Sequence, residues 1–538
     1  MAQLELLCFV LMLVAVLDIA ARKIGLPYPV LMVLCGLSLG LIPRLPHFTF
    51  PPELVLPVFI PPLLFPAAFL TSWHDFKFNL RPIFLLAVGL VLLTMLTVAW
   101  TAHACIPGLP WSAAFVLGAI ISPPDAIAAT AVFERLEVPR RIVTVLEGES
   151  LVNDTVALVA YRFAITAVVT GTFSLSTAAL EVPLVALGGA IIGGLIGVGV
   201  DWLQRRLDDP PVQVTISLLT PFLAYLTAEQ VGCSGVLAIV TAGVFLGWRL
   251  PRMVTARTRL ELGAFWQMLV YLLNGIVFVF IGLQLPQVTQ GLEQHTSWSR
   301  LLSQTGAVCA VTVVVRLLWI YPAAYLPRLL SSSLRARDPY PDWRDVTIIG
   351  WSGMRGVDSL ATALALPFFT VTGAPFPGRN IIIFISFAVI LFTLVAQGLS
   401  LPILIRLLGV KGDGKADCEE HVARLAANQA ALAYLEGLAE TKAEHRQQIT
   451  LLQAEYHERL AQLELEEEED EENNSDVTEE RDTPTPISPF FQLARAALQI
   501  ERDAIIGLRN QHRINDETLR VVQRDIDLAD ARMVEREQ

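Results

Sequence analysis

Charge is scarce in this chain of 538 residues: Asp, Glu, Lys and Arg together make up 17%, against 54% hydrophobic residues. A soluble globular domain is nearer 45–50% apolar. Cysteine is equally sparse. Cys8, Cys35, Cys105, Cys233, Cys309 and Cys418 are scattered, without a C-x-x-C pair, so neither a disulfide framework nor a zinc site is indicated. No basic n-region and no small-residue cleavage site precede Arg22 and Lys23, so residues 4–21 read as a retained first span. H-E-x-x-H is missing and the apolar segments hold no Ser/His arrangement, which argues against a membrane-embedded hydrolase.

What the chain has in abundance is long apolar runs. Many windows approach the roughly 20 residues that cross a bilayer, with a mean hydropathy of +0.55 overall. Charge and Pro/Gly clusters divide them into about thirteen spans. These fall near 4–21, 28–44, 54–70, 82–104, 111–133, 142–168, 182–203, 212–228, 233–248, 263–285, 303–326, 347–368 and 380–403. One set of connecting loops, with the start of the tail, holds 20 basic residues; the opposite set holds only Arg44, Arg300 and Arg379. The positive-inside rule makes the richer side cytoplasmic, with the N-terminus outside and the C-terminus inside. The expected fold is all-α and polytopic.

The net charge of −12 belongs to the tail. From residue 403 onward there are 16 basic and 30 acidic residues, leaving 23 and 21 before it. This distribution argues against a nucleic-acid partner. Residues 1–403 therefore read as a transmembrane domain and 404–538 as an acidic helical cytoplasmic tail, with a linker at about 473–489. Within the tail, Val422, Leu425, Leu432 and Leu435 have helical spacing, and amphipathic segments follow near 490–511 and 515–536. A solvated helical tail, for regulation or dimer contact, is expected.

Ionisable residues inside spans are costly, and each is a functional hypothesis by default. The fifth span contains "SPPDAIAAT" (122–130) and the sixth "LEGESLVNDTVALV" (146–159). Helical spacing lets Ser150 share a face with Asn153 and Asp154, while Glu149 points elsewhere. Pro123 and Pro124 cannot donate backbone hydrogen bonds, which would free the carbonyls of Ala119 and Ile120 beside Asp125. Ser122 and Thr130 offer further oxygens there. Free carbonyls survive in a membrane only against protein or a polar cavity, and such breaks mark substrate sites in secondary transporters. Seven spans later, "GWSGMRGVDSLATALALP" (350–367) places Gly350, Gly353 and Gly356 around Arg355, followed by Asp358. That position suits the counterpart in an inverted repeat, where a charged pair would offset helix-end dipoles. Arg162 and Arg316 also fall within spans; Arg162 is near enough to the outer end to snorkel.

With these motifs the sequence resembles the monovalent cation:proton antiporter-1 family, the sodium/proton exchangers. "GESLVND" (148–154) is similar to the family's sixth-span signature, "AVFERL" (131–136) to the end of the fifth span, "PPLLFPAAF" (61–69) to the third and "GMRG" (353–356) to the twelfth. The resemblance implies two inverted repeats of six helices with broken crossing helices, plus an extra span. It also implies a homodimer in which one bundle moves as an elevator. Carried over, Asp154 would be the main ion- and proton-binding carboxylate, with Asp125, Ser150 and Asn153 lining or supporting the site. Asp154, Asp125 and Ser150 would then be the cation ligands. Glu149 would pair with Arg316, and Arg355 would sit at the broken twelfth span. The family usually has Asp-Pro at the fifth-span break; here Pro123 and Pro124 precede Asp125. Pro66 stands where many relatives carry an acidic residue.

The expected activity is exchange of a monovalent cation, Na+ or in the alternative K+, for H+ across the cell membrane. Asp154 would hold either a proton or a cation, because crossing as a bare carboxylate is penalised. Asn153, not a second acid, precedes Asp154, which points to electroneutral 1:1 exchange without any cofactor. A channel would need polar residues recurring along many spans, and here they cluster in three.

Overall fold

Prolines and glycines decide where the helices of this chain stop. The computed structural model describes residues 2–24, 28–42, 52–133, 136, 138–171, 175–290, 297–412, 414–441, 445–469 and 488–537. All regular structure among them is helical; the one β-bridge, Phe369 to Pro375, is isolated. Helices occupy each of the thirteen expected segments. In chain order they are α1 (Ala2–Ile24), α2 (Tyr28–Gly40), α3 (Pro52–Leu70), α4 (Leu80–Cys105), α5 (Trp111–Ile121), α6 (Ile127–Phe133) and α7 (Arg140–Thr170). There follow α8 (Leu175–Gln204), α9 (Pro210–Gln230), α10 (Gly235–Met253), α11 (Ala256–Gln290), α12 (Trp298–Leu330), α13 (Trp343–Trp351), α14 (Val357–Leu364) and α15 (Arg379–Leu408). The fifth and twelfth segments are the broken ones, split into α5/α6 and α13/α14. Eight of the helices are long and apolar enough to cross a bilayer, and four shorter apolar helices accompany them.

Between helices in lipid the hydrophobic effect supplies little, and close approach of small residues does the joining. α2 and α11 meet at Gly36 and Gly282, where a Cβ on either would run into the other's backbone. Gly247 of α10 packs in the same way on the backbone of α3 at Phe69. Two bundles result. α1–α3 and α8–α11 form one, with Phe65, Ala224, Ile239 and Trp266 in its core. α4, α5, α7, α12, α14 and α15 form the other, around Val98, Leu117, Ala164, Val308 and Ile385. A further apolar cluster, including Met32, Phe59, Phe278, Met354 and Leu394, lies between them.

Asp338 ties one end of the second bundle. It bridges Arg81 at 2.7 Å, Arg141 at 2.8 Å and Arg328 at 2.6 Å, from α4, α7 and α12. Burial pushes its carboxyl up, but hydrogen bonds from Arg141 and Arg328 outweigh this and hold it below the usual carboxylate range.

The tail is not a set of loose helices. α16 (Lys415–Thr441), α17 (Arg446–Glu469), α18 (Ser488–Asn510) and α19 (Asp516–Glu537) pack around Ala423, Ala427, Leu498, Ile505 and Leu519, and around Ala431, Leu435, Tyr456 and Ala494. This corrects the apolar stripe expected for the first of them. Ala423, Ala427, Ala431 and Leu435 face inward, whereas Val422, Leu425 and Leu432 are half-buried. Three helices crowd against α16, and only a small-residue face admits them that closely. Of the expected linker at 473–489, residues 473–487 lie outside the described residues, and the last two belong to α18.

Candidate ion-binding site

The Ser122–Asp125 stretch does not kink a helix; it ends one. α5 stops at Ile121, although the Ser122 amide still donates to the Gly118 carbonyl at 2.9 Å. Pro123 and Pro124 would be the next donors in the ladder, to Ala119 and Ile120, and neither carries an N–H. The chain runs on without helical structure and restarts at Ile127, whose amide is capped by Asp125 Oδ1 at 2.8 Å. Around the break several carbonyls find side-chain donors. Ala119's carbonyl accepts from the Ser122 hydroxyl at 3.0 Å. The Ser122 carbonyl is capped by Arg355 Nη1 at 2.9 Å, and the Pro124 carbonyl by Asn153 Nδ2 at 3.0 Å.

The second break meets the first. The Asp125 amide donates to the Met354 carbonyl at 2.7 Å, joining the two interruptions main chain to main chain. Arg355 is anchored from behind: its amide donates to Thr393 Oγ1 at 3.1 Å, where α15 widens into a π-helical stretch over Thr393–Gln397. Such bulges often accompany functional sites. The charges also suit the helix ends, with the Arg355 guanidinium at the C-terminus of α5 and Asp358 in the first turn of α14. Gly356 lies directly against the Asp125 side chain, so that a Cβ there would overlap its carboxyl group. Displacing a positioned group by ~1 Å costs up to ~100-fold, and Asp125 can yield in part, so Gly356→Ala is expected to slow transport roughly tenfold. Measured flux per folded protein, with the folded fraction taken from size-exclusion profiles, checks this.

α7 supplies the remaining groups. Asn153 and Asp154 are buried, and Ser150 is half-buried one turn earlier. Asp154 interacts electrostatically with both Asp358 and Asp125. Two oxygens at the crossing, Asp125 Oδ2 and Asn153 Oδ1, are buried without a hydrogen-bond donor. Buried oxygens without donors are what a small hard cation needs. Among the described residues no three His, Cys, Asp or Glu side chains form a metal cage.

Glu149 faces away from this group. It receives two hydrogen bonds from Arg316, at 2.5 and 2.9 Å, with both side chains at most 2% exposed. Arg316 also donates to the carbonyls of Gly350 and Ile349 at 3.1 and 3.0 Å, so the pair ties α7, α12 and α13 together. Gly353 leaves the room that the guanidinium occupies.

The other expected oxygens are partly engaged. The Thr130 hydroxyl donates to the Ile127 carbonyl at 3.0 Å, and Ser122 to Ala119 as above. Pro123 and Pro124 are both buried. Asp358 and Thr393 are the residues missing from the expected site. Asp358 was visible as an intramembrane carboxylate two residues past a glycine break; Thr393 gave no signal, since the π-helical stretch that aims it has no sequence mark. A cavity of about 740 Å³ opens between the two bundles, bordered by Leu158, Tyr161 and Arg162 of α7 and by Tyr225 and Glu229 of α9. It begins one helical turn beyond Asp154. Arg162 pairs there with Glu229 at 3.4 Å.

The family described as "sodium/hydrogen exchanger, transmembrane" matches residues 9–407. An uncharacterised Na+/H+ exchanger of Mycobacterium tuberculosis is 37% identical over 510 residues, 94% of this chain and 92% of that one. A Bacillus subtilis protein named a sodium, potassium, lithium and rubidium/H+ antiporter is 37% identical over 404 residues, covering 73% of this chain and 60% of its own. The solved structure of a sodium proton antiporter from Methanocaldococcus jannaschii superposes with a TM-score of 0.58 at 18% identity, across 73% of this chain and 98% of that one. Its fold is this fold.

Proposed function

The chain belongs to the transmembrane sodium/hydrogen exchanger family, and from that membership we propose a one-for-one exchange of Na+ against H+ at Asp154. At the coarser level it is a membrane cation/proton antiporter, a transporter and not an enzyme. The observation that carries the site is the crossing itself. Two helix breaks are joined main chain to main chain, with Asp125 Oδ2 and Asn153 Oδ1 buried and unpartnered, and with Asp125 and Asp358 interacting electrostatically with Asp154.

Asp154 holds either a proton or a cation, and both loaded forms are neutral. Asp125, Ser150 and the Asn153 carbonyl oxygen supply ligands to the cation, while Pro123, Pro124, Ser122, Thr130 and Arg355 shape the break. The bundle holding α5–α7 and α12–α15 moves against the bundle of α1–α3 and α8–α11, as an elevator within a homodimer. An empty site carries uncompensated charge, and moving it through the low-dielectric interior is costly, so net movement requires exchange. Residues 1–403 carry out transport in the cell membrane, with the N-terminus outside. The tail, 404–538, is cytoplasmic, in keeping with the basic loops.

The third carboxylate, Asp358, favours one rival stoichiometry, in which two protons move per cation. The Bacillus subtilis relative's name favours one rival cargo, K+ among other alkali cations. Reconstituted vesicles separate all of these. Proton flux is followed after adding Na+, K+ or Li+, with membrane potential recorded in parallel. The expected result is cation-driven proton flux without any potential, greatest with Na+. A robust current under a pure sodium gradient would sink the one-for-one reading, and flux of cation without counter-ion would mean a channel.

A further inference from the structure

The four-helix tail lies against the membrane part and touches both of its bundles. On one side, Arg140, the first residue of α7, forms an ion pair with Glu517 of α19 at 2.6 Å and lies 3.8 Å from Glu419 of α16. α7 is the helix that carries Asp154. On the other side, Arg259, near the start of α11, makes a bidentate pair with Asp527 of α19 at 2.6 and 2.7 Å. Those two side chains are only 9% and 2% exposed. Arg509 of α18 adds a bond to the Trp248 carbonyl of α10 at 3.2 Å. Between these contacts, Asp516 accepts from the Ser72 hydroxyl at 3.3 Å, and the rings of His74 and His512 stack at 4.5 Å. Residues 72–74 belong to the link from α3, in one bundle, to α4, in the other.

We propose that the tail is an autoinhibitory clamp: α19 pins the Asp154-bearing bundle, through Arg140, to the second bundle, through Arg259, and exchange accelerates when the tail lets go. The geometry makes this a restraint on relative motion. A single helix is fixed at its N-terminal end to one bundle, and further along its length to the other. Both attachments are ion pairs, and the bidentate one at Arg259 is of the directional kind that holds orientation as well as position. Neither ion pair lies at the crossing of the broken helices, so releasing them leaves the ion ligands unaltered. The clamp rests on the reading that the bundles move relative to each other.

Two single variants and their combination test it. The Glu517 side chain is 61% exposed, so Glu517→Lys leaves the tail's core intact and opposes Arg140 with like charge. Arg259→Gln removes the second attachment from the membrane side. Full-length protein in vesicles is assayed for initial exchange rate against cation concentration, and for amide hydrogen exchange across residues 516–530. The expected result for the double variant is faster hydrogen exchange in α19 and at least about a fivefold rise in maximal rate, at unchanged KM for the cation. Three results overturn the clamp: faster hydrogen exchange with an unchanged or lower rate, a higher rate without faster hydrogen exchange, or no change in hydrogen exchange. Asp154→Asn on both backgrounds keeps the readings apart. If flux survives that substitution, the site assignment fails, whatever the tail variants do.

Discussion

Asp154→Asn abolishes cation-driven proton flux while leaving the protein at least as stable as before. Asparagine is nearly isosteric with aspartate and keeps one carbonyl oxygen, so packing on α7 is preserved. It neither takes up and releases a proton in the working pH range nor offers the negative charge that holds a cation. A positioned proton-transfer group typically contributes ~100-fold or more, and on the proposed mechanism the same carboxylate also binds the cargo, so flux is expected to fall by at least that factor. Stability should move the other way. A buried carboxylate beside Asp125 and Asp358 is held there against desolvation and like-charge repulsion, and removing it relieves both. Residues that serve function at a cost to stability behave in this way. A structural role for Asp154 predicts the reverse, a lower melting temperature in detergent with residual flux per folded molecule. Vesicle flux and thermal unfolding, measured on one preparation, decide between them.

Glu149→Gln gives the opposite signature from a carboxylate on the same helix. Glu149 and Arg316 form a bidentate pair away from water. Glutamine matches the shape but leaves the guanidinium charge uncompensated between α7, α12 and α13. Removing one partner of a buried pair costs about 3–5 kcal/mol, a large share of a typical net stability of about 5–15 kcal/mol. The expected outcome is little folded protein in the membrane and a sharply lower unfolding temperature in what survives. Replacing both partners, as Glu149→Leu with Arg316→Met, removes the orphaned charge and should restore most of the loss. If the single variant were fully stable and only transport suffered, Glu149 would belong to the ion path instead.

Much of this architecture was legible because a membrane imposes severe rules on sequence. Apolar length marked the helices, and the two breaks announced themselves through Pro123, Pro124 and the glycines around Arg355. What could not be read was which carbonyl went where. Proline shows that a hydrogen bond is missing, but not whether the helix bends or stops; it stops, and the carbonyls of Ser122 and Pro124 are capped across the break as well. Those caps come from Arg355 and Asn153, residues far away in sequence, and only the crossing brings them near. Thr393 was invisible for the same reason, since a π-helical stretch is a matter of backbone register. In the tail, leucines drew attention away from Ala423, Ala427 and Ala431, because hydropathy weights size while tight helix packing favours its absence.

The bond from the Asp125 amide to the Met354 carbonyl joins the two breaks at the site proposed for the cargo. On the proposed elevator, a cation entering from either side would meet the same oxygens, and the crossing itself would not rectify the flow. Any preference for extrusion over uptake has to come from the gradients themselves or from parts that differ between the two faces.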